Sequence, residues 1–275
     1  MLGLLGLYSI GSILTAPQLH TVGAPPDDIS VRHVSIVAAG GKQIFGWFVA
    51  GNPEKGGILL LHGVRSDRRE MIGRARFLNE AGYSVLLIDM QGHGESAGKN
   101  ITFGFRESFG VHSSLAYLKK HIGKHKVGVL GVSLGGAASL LGESPLEADA
   151  VILEAVYSSI VQAVINRLSV RVGSLGKCLA PLLIWQIEPR LGISLGELSP
   201  VNAIHKLSSP VLFIAGTDDQ HTLPDEALKL YEQANKPKEL WYIAGASHVN
   251  FHKFAKKEYE MRVLEFFKMY LSTQK

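Results

Sequence analysis

Cysteine is almost absent from this sequence: Cys178 is the single one in 275 residues. One thiol rules out an intramolecular disulfide and any metal cluster built from thiolates. It leans towards a reducing compartment. Charge of one sign is scarce as well, because 28 Lys and Arg against 24 Asp and Glu leave a net charge of +4. The densest basic run (Arg65, Arg68, Arg69, Arg74 and Arg76) has few aromatics among it and reads as a solvated helix face. No nucleic-acid partner is expected from that pattern. Long hydrophobic runs are missing too. Residues 1–16 open with MLGLLGLYSIGSILT, which is apolar and uncharged but shorter than the roughly 20 residues a spanning helix needs. No Lys or Arg precedes Arg32, so the positive start of a signal peptide is also lacking. Three readings remain open for this segment: a membrane anchor lacking its first residues, an atypical signal segment, or an arm lying on the domain. The location is then either a membrane surface reached through this segment or the cytoplasm. The sequence carries no signal for oligomeric state.

What is present is globular. Hydrophobic residues make up 46% and charged residues 19%, far from a disordered composition. Residues 17–29 (PQLHTVGAPPDDI) are rich in turn formers and read as a linker. Residues 30–275 then form one domain. VRHVSIVA and IFGWFVA predict an antiparallel hairpin at a sheet edge. GILLLH, YSVLLID, KVGVLG, AVILEA and PVLFIAG are short apolar runs without alternation, as expected of parallel strands covered on both faces, and ELWYIAG is one more strand. Helical patterns over 68–81, 107–121, 134–141, 224–235 and 258–271 fall between and after them. The fold class predicted is α/β, a mostly parallel sheet flanked by helices. Residues 157–205 contain no strong strand and are inserted after a core strand, where a small helical cap belongs.

Gly131-Val132-Ser133-Leu134-Gly135 is a G-x-S-x-G sequence between a predicted strand and a predicted helix. A sharp turn there points Ser133 outward, and small residues two away on each side let the chain come close. The N–H of Leu134 and the positive end of the following helix would face a developing oxyanion. A serine nucleophile needs a base. His248, in AGASHVNFH after the strand ELWYI, is the first candidate, with His252 as its neighbour. The base needs a carboxylate. Asp219 in GTDD, after PVLFIAG, is preferred over Asp218 and over Glu154, and the chain order Ser, Asp, His is one of the known triad orders. His62-Gly63-Val64 after GILLLH would supply the second oxyanion donor, the N–H of Val64. Arg65 follows directly and would either hold an acidic residue of the cap or bind an anionic substrate. The turn around His93 (DMQGHGES) reads as structural support for the pocket.

Taken together, HGV after a strand, DMQGHGES, GVSLGG, GTDDQHTLP and GASH resemble the α/β-hydrolase superfamily. The similarity is to bacterial hydrolases grouped with esterases, acylglycerol lipases and serine aminopeptidases. It covers residues 30–271. The resemblance implies an elbow nucleophile at Ser133, a triad acid at Asp219 with Gly216 as the glycine of G-x-x-D, a base at His248, and oxyanion donors at Val64 and Leu134. Gln91 departs from the arginine usual in that segment of relatives and lies outside the triad. The activity implied is ester cleavage through an acyl-enzyme, needing no metal or organic cofactor. A small-molecule acyl substrate is the expected partner, its apolar part resting against Leu175, Leu179, Leu182, Leu183, Ile184 and Trp185 of the cap unless these simply pack on the sheet. An aminopeptidase on the same scaffold and a non-catalytic binding protein are the alternatives. The peptidase would need carboxylates for a free amine, and the cap offers few besides Glu188 and Glu197.

Overall fold

The structure, a computed structural model, describes residues 2–272. In chain order its elements are α1 (Leu2–Thr15), β1 (Gln18–Leu19), β2 (Arg32–Val37), β3 (Gln43–Val49), β4 (Gly57–Leu61), α2 (Ile72–Glu80), β5 (Ser84–Ile88), β6 (His93–Gly94) and α3 (Glu107–Ile122). These are followed by β7 (Val127–Val132), α4 (Leu134–Ala138), β8 (Ala150–Glu154), α5 (Ile160–Val172), α6 (Leu175–Ile184), α7 (Ile187–Leu191), α8 (Pro200–Ala203), β9 (Val211–Gly216), α9 (Pro224–Gln233), β10 (Lys238–Ile243), α10 (Phe251–Phe254) and α11 (Lys256–Leu271).

Eight strands form the main sheet in the order β10-β9-β8-β7-β4-β5-β3-β2. Six run parallel from β10 to β5, and the β2–β3 hairpin closes one edge antiparallel. The apolar runs without alternation are explained by burial on both faces. In β4, Leu59 and Leu61 enter the core on one side of the sheet, while Ile58 and Leu60 enter the core on the other. The first core includes residues of α3 and α9, and the second is built with α2 and α11.

The chain moves to one side of β4 for β5 and to the other for β7. The carboxyl ends of β4 and β7 therefore border a crevice at the point where the strand order switches. Register keeps these ends level. Leu61 pairs with Gly131, Val132 with Glu154, Glu154 with Ile214, and Gly216 with Ile243. The loops after β4, β7, β8, β9 and β10 thus leave the sheet along one edge.

Four expectations need correction. Residues 17–29 are not a free linker. Gln18 and Leu19 pair with His93 and Gly94, His20 Nε2 lies 2.9 Å from Asp67, and Val22 is buried. The arginine run is not one solvated face, since Arg68 and Arg74 are each 1% exposed and meet carboxylates. The helix expected over 134–141 stops at Ala138. The helix over 68–81 begins with a 3-10 turn at Arg68–Met71, capped by the Asp67 side chain on the N–H of Arg69.

Residues 2–15 fold as a helix that lies on the domain. Arg190 donates to the Ser12 hydroxyl at 2.7 Å and to the Tyr8 carbonyl at 2.9 Å, and its guanidinium stacks on the Tyr8 ring. Gly11 is buried there, and a Cβ on it would stand 2.7 Å from Gln186 Oε1. Among the described residues no helix is long and apolar enough to cross a membrane.

Candidate active site

Ser133 sits between β7 and α4 with φ 47° and ψ −103°. That backbone is costly for a non-glycine residue, and such strain collects at functional turns. The glycines on either side make the turn feasible. A Cβ on Gly131 would stand 2.6 Å from the backbone of Gly135 and Gly136, and one on Gly135 would stand 2.6 Å from Leu61. The Ser133 N–H donates to the Glu154 carbonyl at 2.8 Å and ties the turn to β8. The Ser133 hydroxyl is buried and bonds to no group among the described residues. It lies in a cavity of about 330 Å³ that His248 also lines.

His248 and Asp219 meet. Nδ1 of His248 lies 2.7 Å from Oδ2 of Asp219. The other oxygen, Oδ1, accepts the N–H groups of His221 and Thr222, each at 2.8 Å. Asp219 is 1% exposed. These three contacts occupy both carboxylate oxygens, and Nε2 is left as the open edge of the His248 ring. Gly216 explains how two loops come so close, because a Cβ on it would stand 2.2 Å from the Ala246 carbonyl. The Asp218 N–H donates to that same carbonyl at 3.0 Å. The rivals are engaged elsewhere. Asp218 is exposed and accepts from Thr217. His252 bonds Glu260 at 2.8 Å. Glu154 is clamped by Arg74 at 2.5 Å and by the Tyr259 hydroxyl.

The loop after β4 is held from beneath. Nε2 of His62 accepts the Met90 N–H at 3.0 Å, so the ring proton is on Nδ1 and donates to the Gly63 carbonyl at 2.7 Å. Burial lowers the affinity of this imidazole for a second proton. The Gly63 N–H donates to Glu70 at 2.9 Å. The N–H groups of Val64 and Leu134 meet no acceptor among the described residues. The turn around His93 is structural. Asp89 takes the Arg68 N–H at 2.8 Å, its guanidinium at 2.7 Å and the Glu95 N–H at 2.9 Å. A Cβ on Gly94 would collide with that carboxylate.

Of the two substrate contacts expected from the sequence, Arg65 lines a cavity beside Ser133 but is tied to α1, and Trp185 lines neither cavity there. Arg65 donates to the Ile13 carbonyl at 2.6 Å. The last carbonyls of a helix lack internal partners and carry negative dipole charge, so α1 draws this cation. Trp185 is 76% exposed and lines no cavity. It lies off the inward stripe of α6 at Gly176, Ala180 and Leu183. Leu175, Leu179 and Leu182 are exposed too.

Of the cap side chains expected to form the apolar wall, Leu183 does line a cavity beside Ser133, and most of the wall comes from elements whose role the sequence did not reveal. A second cavity of about 250 Å³ adjoins Ser133. Ile160, Ala163, Val164 and Leu168 of α5 line it, together with Ile10, Ile13 and Leu14 of α1. The spacing of the α5 residues was a readable signal, an i, i+3, i+4, i+8 stripe. Glu70 and His221, both lining the first cavity, were missed as well. Arg167 was also missed and lines both cavities. Burial holds its guanidinium below the ordinary arginine range.

Comparison with known proteins identifies the family and the fold. A model of the serine aminopeptidase S33 family, Hydrolase_4, matches residues 52–189, half of the chain. The chain is 27% identical to YqkD of Bacillus subtilis over 236 residues, which cover 84% of this chain and 77% of YqkD. The esterase Pf2001 of Pyrococcus furiosus superposes with a TM-score of 0.77 at 22% identity, over 94% of this chain and 98% of the esterase. The acylaminoacyl peptidase of Pyrococcus horikoshii does so with a TM-score of 0.65 at 14% identity, over 90% of this chain and 42% of the peptidase. Likeness at that distance speaks for the fold and not for the substrate. The chain belongs to the S33 serine aminopeptidase family of hydrolases, within the α/β-hydrolase superfamily.

Proposed function

We propose that this protein is a serine hydrolase that cleaves carboxylic esters with an apolar acyl part through an acyl-enzyme. The observation that carries this reading is the Asp219–His248 bond of 2.7 Å in a cavity shared with Ser133, next to an apolar cavity that Ser133 also lines. In this reading His248 Nε2 takes the Ser133 proton as the hydroxyl oxygen attacks the ester carbonyl. Asp219 fixes the ring orientation and stabilises the imidazolium. The N–H groups of Val64 and Leu134 hold the oxyanion, and losing one such donor costs roughly 3–4 kcal/mol. The imidazolium returns its proton to the leaving alkoxide. Water, deprotonated by the same imidazole, then releases the acid and restores the serine. That the Ser133 hydroxyl bonds to no group among the described residues is compatible with this, because catalytic hydrogen bonds often form or tighten only with substrate bound.

The ester reading is favoured over the aminopeptidase by charge. The apolar cavity is lined by Arg65, Arg167 and Arg171 and by no carboxylate. Of the carboxylates in the other cavity, Glu154 is clamped by Arg74 and Glu70 holds the Gly63 N–H. Glu197 bonds Ser194 away from both cavities. A free amine would have to share a carboxylate that already holds a protein group.

Labelling with a fluorophosphonate and turnover of model esters, thioesters and aminoacyl amides test the proposal. Wild type should label and should prefer esters. Ser133→Ala should lose both label and activity, and Asp219→Asn should lower kcat by roughly a thousand- to ten-thousandfold with the fold intact. Preference for aminoacyl amides would establish the peptidase instead. Folded protein that neither labels nor turns over would be a binder.

A further inference from the structure

Arg167 stands in an unusual place. On α5, Ile160, Ala163, Val164 and Leu168 face the apolar cavity, and Arg167 takes the i+7 position of that same stripe, where the pattern calls for an apolar residue. Among the described residues only three line both cavities: Val64, Ser133 and Arg167. Arg167 therefore stands at the junction of the two cavities, beside the nucleophile. Among the described residues it forms no ion pair.

Nearby carboxylates are already used. Asp219 is filled by His221, Thr222 and His248. Glu226 accepts the Ser158 N–H and hydroxyl, the Asn166 amide and the Leu223 N–H. The remaining arginines of the apolar cavity differ from Arg167. Arg65 is tied to α1, and Arg171 is exposed. Arg167 is half-buried, and the carboxylates of Asp219 and Glu226 act on it only from a distance, so a ligand of opposite charge bonded to it directly would offset its partial loss of water.

We infer that Arg167 recognises an anionic group, a carboxylate or a phosphate, that the ester carries close to its scissile carbonyl. This rests on the ester-hydrolase reading above and names its substrate class: an amphiphilic ester with an apolar acyl chain for the cavity of α1 and α5 and a negative charge on the alcohol side. The guanidinium presents two parallel N–H donors, a fit to either oxyanion.

The test uses three octanoyl esters that differ only in the alcohol: glycolate (a carboxylate), 2-hydroxyethyl phosphate and neutral ethylene glycol. Wild type should favour at least one anionic ester over the neutral one by roughly ten- to hundredfold in kcat/KM, as expected for a charge-assisted hydrogen bond. Which anion wins decides between the two sources. Arg167→Gln should collapse that ratio, mainly through KM, and Arg167→Lys should restore part of it. A readout without any variant guards against misfolding: octyl phosphate or octanoate should shield Ser133 from the fluorophosphonate at far lower concentration than octanol. Protein that labels at Ser133 yet shows no anion preference, or an Arg167→Gln protein that loses all three esters equally, overturns the anion site alone. Failure of Ser133 to label overturns the hydrolase reading beneath it.

Discussion

At the carboxyl edge of the sheet, Arg68 and Arg74 are buried and each is met by carboxylate oxygens, from Asp89 and Glu95 for the first and from Glu154 for the second. Across the crevice, in the cap, Arg167 comes out of an apolar helix face with no ion-pair partner among the described residues. The sheet edge spends its arginines on holding loops. Arg74 shows this: burial opposes its charge, yet the Glu154 carboxylate and the Tyr259 hydroxyl hold the guanidinium above its ordinary range. Those bonds fix the end of β8, to which Ser133 is tied through its N–H. The cap keeps a cation unspent and lines its cavity with side chains instead of backbone turns. Such clamps make the edge rigid, as the proposed reaction requires of the groups that react. In that same proposal the cap selects the substrate.

The sharpest way to break this contrast is to remove a clamp. Arg74→Met leaves Glu154 buried beside Tyr259 without its counter-charge. Denaturant unfolding should show a loss of about 3–5 kcal/mol, far beyond any change at Arg167. A double change to Arg74→Met with Glu154→Leu should recover much of it, since an apolar pair of similar volume often replaces a buried ion pair without penalty. Equal losses for Arg74→Met and Arg167→Gln would erase the distinction.

A second contrast is in protonation. Burial, with help from the neighbouring His62, lowers the His93 imidazole to about 3. The unfolded chain takes up that proton near pH 6.5. Between those values the unfolded state binds more protons, so stability should fall as pH falls, by at most roughly 1.4 kcal/mol per pH unit. Urea midpoints from pH 7 to 4 measure the slope, and His93→Asn, which cannot titrate, should flatten it.

The smallest effect belongs to the outer face of the cap. Trp185→Ala should leave stability within about 0.5 kcal/mol of wild type and leave ester selectivity untouched, because the ring is exposed and lines neither cavity. A clear loss of activity would put the substrate on the outside of α6.

Much of the sheet edge was legible from residue order. GVSLGG marks a strand, a strained turn and a helix start, and the clashes a Cβ would cause at Gly131 and Gly135 give the reason for that spacing. GTDD and GASH were placed correctly because each follows an apolar run, and Gly216 is needed where the two loops touch. The arginines misled. Spacing along a helix says which residues share a face, but not that Asp89 and Glu154, 21 and 80 residues away, come to meet Arg68 and Arg74. The cap misled in a different way. Its second helix is the more apolar stretch, yet it turns Leu175, Leu179 and Trp185 outward and gives the cavity only Leu183, while the first helix and α1 supply more of the wall.

Local pattern alone determined the sheet, the strained serine turn and the order of serine, carboxylate and imidazole, because runs of buried strands and tight turns are written in neighbouring residues. Tertiary structure alone decided which cations are neutralised, where α1 lies and which cap helix faces the serine. Those outcomes depend on contacts between segments far apart in the chain, and burial makes each charge answer to whatever the fold brings beside it.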